Sequence, residues 1–248
     1  PWAVDAYHLV ASVRPVGESD LFRQGDIFVQ NASSLVPVLA LDPRPGDAIL
    51  DVAAAPGGKT VRIASVTANQ AELWVNDPVK PRLARLAAVL DTYGVRFAQL
   101  TAHPGEHIDK YADRQFDRIL LDAQCSGEGM LDMRRPHALR DWAPERSVRY
   151  GYLQQRMLVA AFKLLKPGGL LVYSTCTFAP EEVEEPVDHL LRHHPDACLE
   201  PISVPLQNVQ PGLLAWAGRQ FGPSVRNILR IVPTDYMEAV SYTHLTLP

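Results

Sequence analysis

Residues 51–60 read Asp51-Val-Ala-Ala-Ala-Pro-Gly-Gly-Lys-Thr60, and this stretch decides the fold of the chain. It follows a short apolar run, Ala48–Val52, and leads into a stretch of helical spacing, Lys59–Val66. Small residues at positions 53 to 58 let a ligand approach the backbone closely, and the first turn of a helix offers free N–H groups. The pattern predicts a strand, a tight turn and a helix that bind a ligand together.

Apolar runs and helical stretches alternate along most of the remaining chain. The predicted strands are Ala48–Val52, Glu72–Asn76, Arg96–Thr101, Phe116–Asp122 and Gly169–Thr175. The predicted helices are Lys59–Val66, Pro81–Tyr93, Glu145–Leu165 and Pro180–His193. This alternation is typical of βαβ units, which form a doubly wound sheet with its ligands at the carboxyl ends of the strands. The expected fold class is therefore α/β, with a Rossmann-like doubly wound sheet and a short N-terminal extension.

The segments outside this alternation give the expected domain boundaries. Residues 1–40 are interpreted as an N-terminal extension, in which Leu21–Gln30 predicts a hairpin and Ala32–Leu41 a helix. Residues 41–235 form the main domain, with one more strand at Asn227–Ile231. Residues 236–248 follow neither periodicity, so we expect a non-native or disordered tail outside the fold.

Composition excludes several classes of protein. The 248 residues are 47% hydrophobic and 21% charged, which fits a globular domain and excludes a disordered tail or a coiled coil. No apolar run reaches the roughly 18 residues of a membrane span, and the N-terminus lacks a leader pattern, so we expect a cytoplasmic protein without a membrane partner. Three cysteines are few and odd in number, which indicates reduced thiols. A formal net charge of −4 means that a nucleic-acid partner requires a local basic patch.

Two classes of nucleotide site compete for the tight turn. A phosphate-binding P-loop requires glycine where this chain has Ala53, and the dinucleotide fingerprint of three spaced glycines is also absent. What remains is an acid at the end of the first strand, Asp51, and another, Asp77, at the tip of the next. An acid at the second position can bind both ribose hydroxyls of an adenosyl group. Taken alone, the turn also fits a plain strand–helix connection.

Two cysteines follow predicted strands. The turn Asp122-Ala-Gln-Cys-Ser-Gly-Glu-Gly129 contains Cys125, and Tyr173-Ser-Thr-Cys-Thr177 contains Cys176. Both therefore lie at the carboxyl ends of strands, the edge where an open α/β sheet binds its ligands. A lone cysteine is more often a small buried hydrophobe, which is our interpretation of Cys198. Two cysteines in polar turns at one edge indicate chemistry instead.

The three motifs together resemble the Sun/Nop family of S-adenosylmethionine-dependent RNA cytosine-C5 methyltransferases, in particular the bacterial ribosomal RNA type. They occur in the family's order, the segment Gln30-Asn-Ala-Ser-Ser34 also fits, and the resemblance runs over about residues 1–232. It implies a class I methyltransferase domain over residues 41–235. It also implies an RNA substrate, expected to be small-subunit ribosomal RNA, and a monomer that needs no metal.

The resemblance also implies residue roles. Cys176 would add to cytosine C6, and Cys125 would help to release the enzyme after methylation of C5. Asp122 would hydrogen-bond the base near N3 and help to hold the cofactor. On physical grounds the thiol also needs a lowered pKa, which helix N-termini or a nearby cation such as Lys59 would supply. Cofactor binding would involve Asp77, Asp122 and the turn residues Ala53, Ala54, Ala55, Pro56, Gly57, Gly58 and Lys59.

Some positions depart from the family pattern. Gln124 replaces a proline, Pro104 stands where an acid would contact the adenine amino group, and Val183 replaces an asparagine. Closing strands are also expected after Ile231, where the chain shows none by periodicity. These departures leave open a catalytically weak S-adenosylmethionine-binding protein that interacts with RNA. A tRNA methyltransferase and a DNA methyltransferase that uses a cysteine placed like Cys125 are further alternatives.

The loop 130–142 is the best candidate for an RNA contact outside the motifs. It carries Arg134, Arg135, His137, Arg140 and Trp142, which can grip phosphate and stack on a base. A solvated loop is an equally good interpretation, because arginines are common in loops.

Two other clusters have plain interpretations. The glutamates at 181, 182, 184 and 185 are read as the acid-rich first turn of a helix begun by Pro180. Two histidines, an aspartate and a cysteine within residues 193–198 are read as a helix end, because no second ligand pair at metal-binding spacing accompanies them.

Overall fold

The computed structural model describes residues 3, 5–9, 15–131, 137–140, 142–204, 206–232 and 240–246. Its helices are α1 (Asp20–Arg23), α2 (Val36–Leu41), α3 (Gly58–Val66), α4 (Lys80–Thr92), α5 (Pro144–Phe162) and α6 (Glu184–His193). Its strands are β1 (Ala48–Asp51), β2 (Glu72–Asn76), β3 (Gln99–Thr101), β4 (Phe116–Asp122), β5 (Leu165–Thr175), β6 (Cys198–Glu200), β7 (Val209–Pro211), β8 (Ala215–Trp216), β9 (Arg219–Gln220), β10 (Leu229–Ile231) and β11 (Val240–Thr246).

Nine of the described strands pair into one sheet, in the order β3-β2-β1-β4-β5-β11-β10-β7, with β6 paired to β11. Strands β1 to β5 are parallel to one another, while β11 is antiparallel to β5 and to β10. The strand order reverses between β1 and β4. At such a switch point, the turns after neighbouring strands open into a common crevice.

The core lies on both faces of this sheet. Leu50 of β1 and Ile119 of β4 pack on the side of α5 and α6, while Ile49 and Leu120 pack on the side of α2, α3 and α4. Successive side chains of a strand point to opposite faces, so strands covered on both sides must be apolar throughout. This packing holds the carboxyl ends of β1 and β4 in fixed positions.

The predicted α/β alternation is confirmed, with shifts at some boundaries. Strands β2 and β4 match the prediction, whereas β3 begins only at Gln99 and β5 begins already at Leu165. Helix α6 begins at Glu184 rather than Pro180, because residues 180–183 form a turn in which the Val183 N–H donates to the Pro180 carbonyl. The strand predicted near residue 229 is β10.

The N-terminal prediction is wrong in part. The expected hairpin at Leu21–Gln30 is replaced by α1, which begins after Ser19, whose side chain accepts a hydrogen bond from the Phe22 N–H at 3.2 Å. An N-cap of this kind satisfies an end of the helix and outweighs a weak alternation of apolar residues. The predicted helix at Ala32–Leu41 is a 3-10 turn over Ala32–Leu35 followed by α2.

The C-terminal segment differs from the expected tail over residues 236–248. Residues 240–246 form β11, which lies between β5 and β10 and pairs along β5 from Thr175 to Leu170. Leu245 is fully buried in the core. The strand supplies hydrogen-bond partners to an edge of β5 that would otherwise be unpaired. A closing strand therefore follows Ile231, contrary to the expectation from periodicity.

Among the helices that the structure describes, none has both the length and the apolar character needed to cross a membrane.

Candidate active site

The turn after β1 depends on two glycines. Gly57 precedes α3 with a φ of +112°, and a Cβ there would lie 3.0 Å from the Leu86 side chain. A Cβ on Gly58 would lie 3.0 Å from the Phe28 ring and 3.4 Å from the Gln30 amide oxygen. The backbone of the turn is therefore pressed between α4 and the N-terminal segment, and the first N–H groups of α3 have no acceptor within the helix itself.

Asp77 closes this turn from the next strand. Its carboxylate is fully buried and accepts hydrogen bonds from the N–H groups of Ala55 at 3.2 Å and Val79 at 3.1 Å. Arg82 lies 3.3 Å from the same carboxylate and also donates to the Ala55 carbonyl at 2.6 Å. The structure thus brings Asp77 beside the turn, and it adds Arg82, which the sequence analysis missed.

Asp51 also belongs to this site, although the sequence analysis noted it only as a strand end. One carboxylate oxygen accepts a hydrogen bond from the Thr60 hydroxyl at 2.7 Å. The other, Oδ1, is buried and has no hydrogen-bond partner among the described residues. Burial raises the pKa of Asp51 to about 7, against the opposing Thr60 hydrogen bond and with a further contribution from the charge of Asp122. An unpaired buried acceptor of this kind suits a ligand with a hydrogen-bond donor.

Asn76 is a second residue that the sequence analysis missed. Its side-chain amide donates to the Val52 carbonyl at 2.8 Å and to the His103 carbonyl at 3.0 Å. Its amide oxygen accepts from the Thr101 hydroxyl and from the His103 N–H, each at 2.8 Å. The ends of β1, β2 and β3 are therefore tied together. An asparagine as the last residue of a predicted strand was the available signal, because strands are depleted in this residue.

The two predicted cysteines meet at the neighbouring strand ends. Cys125 follows β4 and Cys176 follows β5, and their sulfur atoms are 3.0 Å apart, close enough for one thiol to donate to the other. Both are free and half-buried. Cys198 is exposed on β6, so its interpretation as a small buried residue was wrong. The turns carrying the pair are also joined through their backbones, because the Gly129 N–H donates to the Cys176 carbonyl at 3.0 Å.

The surroundings of the two thiols shift their pKa values in opposite directions. The hydrogen bond to Cys176 and burial both raise the pKa of Cys125 well above its ordinary value. The hydrogen bond from Cys125 lowers the pKa of Cys176, against the effects of burial and of Asp122, and the positive charge of Lys59 lowers it further. Cys176 is therefore the thiol that ionises more readily, and Cys125 is the thiol that holds its proton more strongly.

Lys59, Asp122 and Ser174 connect the turn after β1 to the cysteines. The Lys59 ammonium is 2.6 Å from Asp122 Oδ2, and the Ser174 hydroxyl donates to Asp122 Oδ1 at 2.6 Å. Burial would lower the pKa of Lys59, but the charge of Asp122 and its hydrogen bond raise it above the ordinary value. Lys59 is therefore charged at neutral pH, as expected of a cation that stabilises a thiolate.

The four glutamates after Cys176 do not form one helical turn. Three of them have partners on other segments: Glu181 accepts from the Trp216 indole, Glu184 binds Arg230 within the core, and Glu185 binds Arg219. The fourth, Glu182, is buried against the cysteine turns. The helix-dipole interpretation was therefore wrong for Glu181 and Glu182, which precede α6.

The remaining sequence features lie around the site. Of the proposed RNA contacts, Arg134 and Arg135 lie outside the described residues, and the Trp142 indole donates to Glu128 at 2.7 Å. The side-chain amide of Gln124 donates to the Tyr150 hydroxyl at 3.2 Å. Val183 is buried in the core.

Helix α6 ends at His193, as expected for the histidine-containing segment. Within the part of the chain that the structure describes, no three His, Cys, Asp or Glu side chains are grouped so as to hold a metal ion.

Sequence comparison identifies the family. The profile of the family described as 16S rRNA methyltransferase RsmB/F matches residues 38–242. The tRNA (cytosine(49)-C(5))-methyltransferase of Pyrococcus abyssi is 40% identical over 95% of this chain and 75% of its own length. The ribosomal RNA small subunit methyltransferase F of Cronobacter sakazakii is 38% identical over 79% of this chain, which spans only 42% of that protein.

Solved structures agree with this result. A methyltransferase homologue from Pyrococcus horikoshii superposes with a TM-score of 0.85 at 32% identity, over 99% of this chain and 76% of that one. NSun6 from the same organism, crystallised with the S-adenosylmethionine analogue SFG, superposes with a TM-score of 0.78 at 28% identity. That match covers 95% of this chain and 56% of NSun6.

Proposed function

Because this chain belongs to the 16S rRNA methyltransferase RsmB/F family and is thereby an S-adenosylmethionine-dependent RNA cytosine-C5 methyltransferase, we propose that it works through a covalent bond between Cys176 and cytosine C6. One observation carries this proposal: the 3.0 Å contact of two thiols whose pKa values are driven apart, with Cys176 on the ionised side. A thiolate is the nucleophile that a poor electrophile such as C6 requires.

The residues around the turn after β1 fit the cofactor. S-adenosylmethionine supplies an electrophilic methyl group when it is bound. The N–H groups of the turn, the unpaired oxygen of Asp51 and the carboxylate of Asp77 would hold it, with Asp77 binding the ribose hydroxyls. Asp77 now contacts Arg82, and it would exchange part of that contact for the ligand.

The chain's own residues account for the steps at the base. The Cys176 thiolate adds to C6, the electron pair displaced to N3 takes up a proton from water, and the resulting N3–H donates to the Asp122 carboxylate that Lys59 and Ser174 hold. C5 then takes the methyl group. Once Cys176 is bonded to C6 its negative charge is gone, so the main cause that kept Cys125 protonated is removed. N3 gives its proton back to water. Cys125 then assists as water takes the C5 proton, the electron pair of that C–H bond forms the C5–C6 double bond, and the C6–sulfur pair leaves with sulfur, which restores the Cys176 thiolate.

The substrate proposed is small-subunit ribosomal RNA, in line with the family description, and the enzyme would act as a monomer in the cytoplasm. A tRNA substrate is the second candidate, favoured by the higher identity and coverage of the tRNA enzyme. Methyl transfer to purified small-subunit RNA and to tRNA transcripts, followed by mass-spectrometric mapping of 5-methylcytosine, separates the two. Binding of both RNAs without transfer would support the alternative of a catalytically weak RNA-interaction protein.

The covalent mechanism is tested by replacing each cysteine. Cys176→Ser should abolish methyl transfer, because a hydroxyl without an adjacent base is far too weak a nucleophile at neutral pH. Cys125→Ser should still attack and methylate the base, then remain attached to RNA. On a denaturing gel, this variant should show a slow-migrating protein–RNA band, and the double variant should lose it.

Other outcomes have definite meanings. A band from Cys176→Ser and none from Cys125→Ser would reverse the roles and favour the arrangement expected of a DNA methyltransferase. Full activity in both single variants would exclude cysteine catalysis. Cys198→Ser is the matched control, since Cys198 is exposed on β6 and away from the pair.

A further inference from the structure

One buried carboxylate lies between the two cysteine turns and has no part in the steps above. Glu182 is fully buried and precedes α6. Its backbone carbonyl accepts a hydrogen bond from the buried Tyr173 hydroxyl at 2.6 Å, and its N–H donates to the Ala179 carbonyl at 2.9 Å. The turn that carries Glu182 is therefore anchored to β5.

The carboxylate reaches the residue after each cysteine. Its Oε2 accepts from the N–H of Ser126, which follows Cys125, at 2.9 Å. Its Oε1 lies 3.5 Å from the hydroxyl of Thr177, which follows Cys176, while the Glu128 carboxylate lies nearer to that hydroxyl, at 3.2 Å. The Ser126 and Thr177 hydroxyls are themselves 3.0 Å apart. One carboxylate and two hydroxyls thus join the turns directly beside the two sulfur atoms.

Helix α5 completes this arrangement. The Gln154 side chain donates to Glu182 at 3.1 Å and to the carbonyl of Gln124, the residue before Cys125, at 2.8 Å. The helix approaches so closely because of Gly151, where a Cβ would lie 2.0 Å from the Glu181 carbonyl oxygen. Both neighbours of Cys125 are therefore held, one by Gln154 and the other by Glu182.

We propose that Glu182 is a positioning residue, whose carboxylate holds the Cys125 and Cys176 turns at the separation that lets one thiol donate to the other. It does so without contacting the reacting atoms. Its catalytic consequence rests on the proposed covalent function. Satisfied polar contacts of this kind restrain the two turns. Losing the carboxylate leaves the turns joined by the backbone bond from Gly129 and by the hydroxyl contact of Ser126 and Thr177, which restrain the sulfur atoms less tightly.

The separation matters because the hydrogen bond from Cys125 is the main cause that lowers the pKa of Cys176. The charged and titratable groups that face the pair are Lys59 from α3, Asp122 from the end of β4, Tyr173 from β5, Glu128 from the turn after Cys125, and Glu182 itself. A wider separation would leave Lys59 and Asp122 in place and remove only the donor. The pKa of Cys176 would then rise.

The test compares three variants of the full chain. Glu182→Ala removes both contacts, whereas Glu182→Gln keeps an oxygen that can accept from the Ser126 N–H. Glu181→Gln is the matched control, since the neighbouring Glu181 contacts the Trp216 indole at the surface. The first measurement is the rate of Cys176 alkylation by iodoacetamide against pH, without RNA, with the modified site located by mass spectrometry.

In Glu182→Ala we expect the apparent pKa of Cys176 to rise, so that alkylation at pH 7 slows about tenfold. The Gln variant and the control should stay within about twofold of the original chain. In single-turnover methyl transfer, the rate should fall about 100-fold in Glu182→Ala with unchanged KM for S-adenosylmethionine.

A folded Glu182→Ala with an unchanged alkylation profile would overturn the proposal, even if its transfer rate fell, because destabilisation alone does not shift the pKa of a thiol in the folded protein. If Glu182→Ala does not fold, Glu182→Asp keeps the charge but shortens the side chain, so that it no longer reaches the Ser126 N–H, and it should raise the pKa of Cys176. No shift there would equally overturn the proposal. A chain that never methylates RNA contradicts the proposed function alone, because the alkylation profile is measured without RNA.

Discussion

The turn after β1 and the cysteine pair lie at the same sheet edge but are built in opposite ways. The turn is one continuous run, residues 51–60, closed by Asp77 from the adjacent strand. The pair requires turns from two strands, a helix that approaches at Gly151, and the buried Glu182. The binding turn can be recognised from local sequence, because its residues are contiguous. The chemistry of the two cysteines depends instead on the distance between two segments that are far apart in sequence.

The pair also shows that residue type does not set chemical state. Cys125 and Cys176 occupy similar polar turns after neighbouring strands, yet the structure raises the pKa of one and lowers that of the other. The asymmetry arises because only one thiol can donate in a two-sulfur contact. The positive charge of Lys59 adds to this asymmetry, because it lowers the pKa of Cys176 and so favours the Cys176 thiolate.

Removing Lys59 is expected to have the largest effect, because this residue joins the two regions. Lys59→Ala leaves the Asp122 carboxylate without its cation and removes a charge that lowers the pKa of Cys176, so methyl transfer should slow by about 100-fold. Rates of single-turnover transfer from pH 6 to 9 should recover partly at high pH. Lys163→Ala, which breaks a surface pair with Asp109, is the control. Equal rates in both variants would mean that the two regions act independently.

Removing Asp77 should affect the cofactor region alone. Asp77→Ala should weaken S-adenosylmethionine binding by about 2–3 kcal/mol, the scale of charge-assisted hydrogen bonds. Asp77→Asn retains an acceptor for the Ala55 N–H, so the difference between the variants separates support of the turn from contact with the ligand. Calorimetry measures the affinity, and alkylation of Cys176 should be unchanged. Unchanged affinity in both variants would exclude Asp77 from the cofactor site.

Replacing Asp51 should have the smallest effect, visible mainly in its pH dependence. With a pKa of about 7, Asp51 ionises as the pH rises through neutrality, and only then can it accept strongly from a cationic cofactor. Cofactor affinity should therefore increase between pH 6 and 8, while Asp51→Asn should bind about 1 kcal/mol more weakly at pH 8 without that increase. Calorimetry at several pH values measures both. A rise that persists in Asp51→Asn would assign it to another group.

The same ionisation affects stability in the free protein. The pKa of Asp51 in the folded chain lies above its unfolded value, so the folded state binds the extra proton. The free energy of unfolding should therefore fall as the pH rises toward 7, and Asp51→Asn should reduce this fall. Urea denaturation at pH 5 and pH 7 measures the difference.

The local pattern of residues was enough to predict the α/β core and to find the motifs. Strand β4 and helix α3 could be predicted because burial on both sheet faces and a continuous glycine turn leave signatures within a few residues. The structure of the segment Leu21–Gln30 could not be predicted, because its weak alternation of apolar and polar residues favours a hairpin, whereas the N-cap at Ser19 favours a helix. Residues 240–246 carried no period at all, yet they pair with β5, since strand formation there depends on a partner far away in sequence.

By itself, the sequence determined the order of strands and helices from β1 to α6, the placing of the glycine turn, and the presence of two cysteines at strand ends. These follow from periodicity and residue size, which act over short distances along the chain. Only the tertiary structure decided which thiol ionises, that Asp51 keeps an unpaired oxygen, and that Glu182 lies between the cysteine turns. Hydrogen bonds, burial and charge act through space, and those distances exist only once the chain has folded.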